Sequence, residues 1–342
     1  MPDLRSFLHE TFQKAGGWLP FDQYMAMALY DPHFGYYTSG IEDVGGVRGD
    51  FATSATLSGG LGKAVANWLR EEAEYHDWTS SIPIIEVGAG NGELAATILK
   101  SLGWWGRRKF EYHIVDVSEP LRERQKLRLK ASAVTWHPSI HEALETTEGR
   151  GLVFSNELVD AFPAKWLRWI EMEECWLEVG VKFDREKGIG EILNPLPNGF
   201  PEHDFSAMAM RELPAGQRIE IQPLYRSWLI NFAESWQTGS LLTIDYGGRP
   251  EEIYRRRPEG TLRGYFRQER IEGPGIYQRF GKQDLTLDVN FLDLIRWGEE
   301  LGFEMVLEES QAEFLNRWGE SADPMAKSGA GEAFRVLHQR RD

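Results

Sequence analysis

Three groups of residues have types and spacing that could do chemistry. The first is Glu86-Val-Gly88-Ala-Gly90-Asn-Gly92, which follows the apolar run Ile82-Pro-Ile-Ile. Alternate glycines permit a tight turn and let a ligand approach the backbone closely. A helix starting at Glu93 would add unpaired N–H groups. The second group begins with Asp116, at the end of Phe110-Glu-Tyr-His-Ile-Val. An acid there can accept hydrogen bonds from both hydroxyls of a ribose, or it can simply cap a helix. Trp136, after a third short apolar run, can lie against a purine or pack in the core. The third group is Asn156, Glu157 and Asp160, directly after Gly151-Leu-Val-Phe-Ser155.

The glycine pattern discriminates between nucleotides. Dinucleotide sites carry G-x-G-x-x-G, and here the position of the last glycine is Glu93. A carboxylate beside a pyrophosphate is repelled. S-adenosylmethionine has no phosphate, and its sulfonium and ammonium are cationic. Glu93 costs such a ligand little, and Glu86 could favour its cationic end. The expected cofactor-binding set from these motifs is Glu86, Gly88, Gly90, Gly92, Asp116 and Trp136. An NAD-dependent enzyme is the rival class, since Asp116 would suit its ribose too.

Asn156, Glu157 and Asp160 are the expected catalytic set. Ligands of open α/β sheets bind beyond the carboxyl ends of the strands. Carboxylates there could hold a guanidinium, whose planar fork pairs with them in bidentate fashion. The alternative is that Glu157 caps the next helix and Asp160 lies on the surface. Methyl transfer from a sulfonium needs alignment and water exclusion more than a strong base. No triad need be visible, and no G-x-S-x-G or H-E-x-x-H occurs. No metal site is expected.

These groups need a frame. Strands at 82–87, 110–117, 133–136, 151–155 and 241–245 alternate with helices at 93–102, 120–129 and 225–236. That rhythm argues for a doubly wound, mostly parallel α/β sheet. Helices at 3–13, 20–30 and 58–76 precede it. Between 164 and 193 the pattern changes to polar–apolar alternation with a turn at Arg185-Glu-Lys-Gly188. The expected division is an N-terminal helical segment with a cofactor-covering loop (1–80), a core (81–163 and 236–342) and an inserted α+β subdomain (164–235). A helix at 288–301 and strands at 303–307 and 333–337 complete the expected core.

Composition narrows the function classes. The chain has 342 residues and a formal net charge of −15, which disfavours nucleic-acid binding and suits a cationic partner. The arginine-rich stretch Arg249–Arg270 runs against that sign, with seven arginines against four glutamates. Thirteen tryptophans suggest large buried aromatics or lined clefts. A single cysteine, Cys175, excludes a disulfide framework within one chain and reads as a small core residue. No run of about 18 apolar residues predicts a membrane span, and cytoplasmic placement is the resulting expectation. The oligomeric state, a homodimer included, is left open.

Taken together, the motifs resemble those of class I methyltransferases that include the mitochondrial complex I assembly arginine methyltransferase and its bacterial relatives. The matching stretches are Tyr24-Met25, Leu29-Tyr-Asp-Pro32 and Gly35-Tyr-Tyr37; Gly49-Asp-Phe51 with Thr53-Ser54; the Glu86–Gly92 turn; Val115-Asp-Val-Ser118 with Leu121-Arg122 and Gln125; Asn156-Glu157 with Asp160-Ala-Phe-Pro163; Asp245-Tyr-Gly247; Thr261-Leu-Arg-Gly264; and Asp284-Leu-Thr286 with Asp288-Val-Asn-Phe291. The resemblance implies an S-adenosylmethionine-type core, an extra subdomain between the fourth and fifth strands, and a protein arginine as acceptor. It also implies that Gly49–Ser54 closes over the cofactor, with Asp50 and Thr53 on its amino-acid end. The chain departs from the family at Ala55-Thr56, where relatives carry Pro-Glu, and at Asn91, where they more often carry arginine. The missing carboxylate keeps a small-molecule acceptor, or a non-catalytic assembly role, open beside the arginine reading.

Overall fold

The computed structural model describes residues 3–40, 59–210, 213–319, 323–327 and 329–342. Two compact units emerge: residues 42–160, 226–247 and 294–342 form one, and residues 1–41, 161–225 and 248–293 the other.

The first unit is built on seven strands: β1 (Ile82–Val87), β2 (Phe110–Val115), β3 (Val134–His137), β4 (Arg150–Asn156), β5 (Thr238–Gly248), β6 (Glu304–Ser310) and β7 (Phe334–Arg341). Their order is β3-β2-β1-β4-β5-β7-β6. The first five run parallel, and β7 is antiparallel to both β5 and β6. Between β1 and β4 the order reverses direction, and this switch point is where such sheets bind ligands. Strand β1 is buried at every position, as a strand covered on both faces must be.

Helices α1 (Gly60–Tyr75), α2 (Glu93–Lys109) and α5 (Gln311–Trp318) share one core with Ile84, Leu152, Phe154, Ile244 and Val336. Helix α4 (Ile140–Thr146) brings Leu144 to Ile85 and Val153, whose side chains alternate with that set along the strands. Helix α3 (Glu119–Arg128) starts at Ser118, whose hydroxyl accepts from the Leu121 N–H, with Pro120 in the first turn. The expected end of α2 at residue 102 coincides with a break: Gly103 has φ 69° and ψ −176° inside the helix. Helices α4 and α5 were not anticipated.

Six of the tryptophans, Trp68, Trp166, Trp176, Trp236, Trp297 and Trp318, are buried, while Trp104 is exposed. Among the described residues, no helix is long and apolar enough to cross a membrane.

The second unit holds the helices Leu4–Lys14 and Phe21–Tyr30 and a five-stranded sheet of Trp18–Pro20, Lys165–Ile170, Cys175–Asp184, Gly188–Pro195 and Arg218–Ile221. The turn expected at 185–188 joins two of these strands. A three-stranded sheet comprises Arg263–Phe266, Glu269–Ile271 and Asp284–Thr286. The compact units divide the chain elsewhere than the rhythm suggested. The N-terminal segment joins the 161–225 strands because Trp18–Pro20 pairs with Gly180–Lys182. Residues 248–293 join them because buried Glu220 accepts from the Thr261 and Leu262 N–H groups at 2.9 and 3.1 Å.

One reading of a single residue changes here. Cys175 is only half-buried, at the start of its strand, and is not a core residue. Partial burial and the Glu173 carboxylate push its thiol up, so a thiolate is disfavoured. In the arginine-rich stretch, Arg257 and Arg263 both bind Asp288, and Arg270 binds Glu272.

In the first unit a buried ion network ties α1 to the sheet. Arg340 of β7 donates to both oxygens of Glu72 at 2.6 and 2.8 Å, and Ser240 of β5 donates at 2.6 Å. His338 Nε2 lies 3.2 Å away. Burial raises the Glu72 carboxyl, but Arg340, His338 and Ser240 together hold it well below the usual range. Its stabilisation is therefore complete above its unfolded value of 4.5 and is lost as pH falls toward the lowered folded value. Glu72→Ala strands the Arg340 charge and is expected to cost about 3–5 kcal/mol, read by urea denaturation at neutral pH. A cost within experimental error would refute the network's role.

Candidate cofactor and acceptor site

The carboxyl ends of β1, β2, β3 and β4 carry the site. After β1 the chain turns through Gly88, Gly90 and Gly92 with φ of 73°, 54° and 79°. These left-handed values suit glycine and few other residues. A Cβ on Gly88 would lie 2.7 Å from Leu158 Cδ1, so a side chain there would displace the end of Leu158. Beneath it, buried Glu86 accepts the Tyr112 hydroxyl at 2.7 Å. Burial is the main cause that pushes the Glu86 carboxyl up to about 8. That burial favours the neutral form and works against the charge assigned to it from the sequence. Glu93 pairs with Arg128 of α3.

Asp116 sits just past β2 and is buried. Its Oδ1 accepts the Ser118 N–H at 2.9 Å, and its Oδ2 accepts Gln125 Nε2 at 2.7 Å. The same nitrogen donates to the Gly90 carbonyl at 2.8 Å. Trp136, half-buried on β3, donates its indole N–H to Gln125 Oε1 at 3.0 Å. Three of the expected cofactor positions are thus brought together by a residue not expected to matter. Gln125 was visible only as one match in the family pattern.

After β4, Asn156 Nδ2 donates to Glu157 Oε1 at 3.1 Å. Glu157 has φ 52°, which is unusual for a residue with a side chain. Its N–H bonds the Ile244 carbonyl of β5. The next three N–H groups, of Leu158, Val159 and Asp160, all point at Asp245 Oδ2, at 3.1, 2.8 and 3.3 Å. Asp245 is fully buried, and burial followed by the Asp160 and Glu157 charges pushes its carboxyl well up. Asp160 is buried too, contrary to its surface alternative. Asp245 was the second missed residue, again present only as a motif match. Asp50 and Thr53 lie outside the described residues. Among the described residues, no three His, Cys, Asp or Glu side chains gather as a metal site.

Residues 64–307 match the family described as "Putative S-adenosyl-L-methionine-dependent methyltransferase". The chain belongs to this family. The methyltransferase is also similar, at 27% identity and a TM-score of 0.85, to a Burkholderia thailandensis protein whose crystal structure holds S-adenosyl-homocysteine. That match covers 99% of this chain and 92% of the other. The "Protein arginine methyltransferase NDUFAF7 homolog, mitochondrial" of Drosophila melanogaster is 27% identical over 302 residues, 80% of this chain and 65% of the fly protein, just under two thirds of its length. The Homo sapiens protein arginine methyltransferase NDUFAF7, mitochondrial, is 25% identical, with 87% and 69% covered. S-adenosylmethionine is thus the methyltransferase's cofactor, and the dinucleotide alternative falls away.

The relatives correct one expectation. Both are mitochondrial proteins, so cytoplasmic placement does not stand. The reasoning failed because lack of an apolar span and of paired cysteines describes any reducing aqueous compartment.

The residues present fit this cofactor: a turn with three left-handed glycines, no phosphate-binding cation in the glycine segment, and an acid at the next strand end that can accept ribose hydroxyls. Gly88→Ala combines a left-handed strain of about 1–3 kcal/mol with the Leu158 contact. It is expected to lower the melting temperature and weaken S-adenosylhomocysteine binding about tenfold or more, measured by calorimetry. Wild-type affinity in that variant would remove the turn from the site.

Proposed function

We propose that the methyltransferase methylates an arginine of a protein substrate, with Glu157 and Asn156 holding the guanidinium. The observation that carries this is the left-handed Glu157, presented at the switch point by a turn whose three N–H groups are fastened to Asp245. A residue with a side chain keeps that conformation only where its surroundings over-determine it, and such strain collects at functional sites.

When bound, S-adenosylmethionine supplies a methyl group on a sulfonium. In this reading Asp116 accepts the ribose hydroxyls, Trp136 flanks the adenine, and the Gly88–Gly92 backbone lines the amino-acid portion. Asp50 and Thr53, by family resemblance, hold its far end. The Glu157 carboxylate accepts guanidinium N–H bonds and fixes the plane of the group. It also offsets the positive charge as the reacting nitrogen sheds its proton. Asn156 keeps the Glu157 carboxylate turned one way. Asp160 adds negative charge to the same turn, which favours a cationic acceptor. The net charge of −15 favours association with a basic protein, and the relatives' names as protein arginine methyltransferases support the same acceptor. Thr56, where relatives carry glutamate, is the feature that favours the second reading, a small-molecule acceptor.

Glu157→Gln is expected to reduce methyl transfer by about 10²–10³-fold while leaving S-adenosylhomocysteine affinity within about threefold. Mass spectrometry of cell proteins incubated with isotope-labelled cofactor reads out the acceptor. Label on arginine side chains supports the proposal, and label confined to small metabolites replaces it with the second reading.

A further inference from the structure

Gln125 occupies a position that the assigned chemistry does not explain. It lies on α3, is fully buried, and contacts three strand ends at once. Its amide orientation is forced. An indole N–H only donates, so the atom facing Trp136 must be the amide oxygen. The NH₂ group then necessarily faces the Gly90 carbonyl and Asp116 Oδ2, both acceptors. The Gly92 backbone lies close by, since a Cβ there would come into ordinary van der Waals contact with Gln125 Cα at 3.4 Å.

We propose that Gln125 is the positioning residue of the cofactor site: one amide locks the glycine turn, the ribose acid and the indole into a single binding geometry, and keeps Asp116 in the anionic form that accepts ribose hydroxyls. The proposal rests on the reading of Asp116 as the ribose acid. A protonated Oδ2 would set O–H against N–H, so the amide selects the ionised carboxylate.

The electrostatics agree in sign. Burial raises the Asp116 carboxyl to about 6, while the Ser118 N–H, Gln125 and the Arg122 charge pull it down. Other charges in this region are Glu86 of β1, neutral below about 8, Arg122 with its partner Glu119, and the Arg128–Glu93 pair. Burial lowers both members of the His113–His137 pair of β2 and β3, His113 to about 4. Affinity that needs ionised Asp116 therefore falls as pH drops through about 6. Removing the amide removes one lowering contribution, and the fall starts at higher pH.

The test is S-adenosylhomocysteine affinity by calorimetry between about pH 5 and 8, for wild type, Gln125→Met, Gln125→Glu and Asp116→Asn. Gln125→Met retains side-chain bulk and is expected to move the acid limb up by about one pH unit. Gln125→Glu sets two carboxylates together, so its affinity is expected to be lowest at neutral pH and to rise on acidification, the reverse of the wild-type slope. That reversal is independent of whether the Met variant folds well. Asp116→Asn is expected to bind weakly with no acid limb. Wild-type pH profiles in both Gln125 variants, with Asp116→Asn impaired, would overturn the proposal and spare the ribose reading. Wild-type affinity in Asp116→Asn would overturn the ribose reading itself.

Discussion

A parallel sheet covered on both faces leaves only the ends of its strands for polar work, and every polar group there must be satisfied inside the fold. This constraint organises the methyltransferase core. Burial of β1 at all six positions leaves it no solvent-facing side. Its carboxyl end is therefore where backbone can meet a ligand. The turn there places three glycines in left-handed conformations, and the turn after β4 holds a side chain in a conformation it would not choose.

Each turn is fastened by one buried polar residue. Gln125 bonds the glycine turn and Asp116, and Asp245 collects the N–H groups of the turn after β4. Leu158 lies between them, since it follows Glu157 in sequence and limits the space at Gly88. The two halves of the site thus share a contact, so geometry at the glycine turn and at Glu157 is set jointly. Buried networks of this kind are rigid when fully satisfied and costly when one member is lost.

Much of the fold was legible because its signals are local. The apolar runs of the parallel strands, the glycine turn, and the Arg185–Gly188 hairpin turn each depend on a few adjacent residues. Helix α5 and the Arg263–Phe266 sheet were not legible, because their short elements gain definition only from partners distant in sequence. The pairing that ties the N-terminal segment to the 161–225 strands was not legible for the same reason. Trp18–Pro20 pairs with Gly180–Lys182 across some 160 residues, and no local pattern records that.

For the candidate site, the residue types at 86–92, 116, 136 and 156–160 were determined by the sequence itself, since a turn of alternate glycines and an acid at a strand end are written in adjacent letters. What the tertiary structure alone decided was their state. Glu86 is pushed toward its neutral form because burial removes water from it, against the opposing hydrogen bond from Tyr112. Asp116 and Trp136 are oriented by Gln125, whose role arises only when α3 lies over three strand ends. Glu157 is left-handed because Asp245, 88 residues later in the chain, collects the N–H groups that follow it. Hydrogen bonds between distant segments set charge and orientation, and those are properties of proximity, which a linear order of residues does not contain.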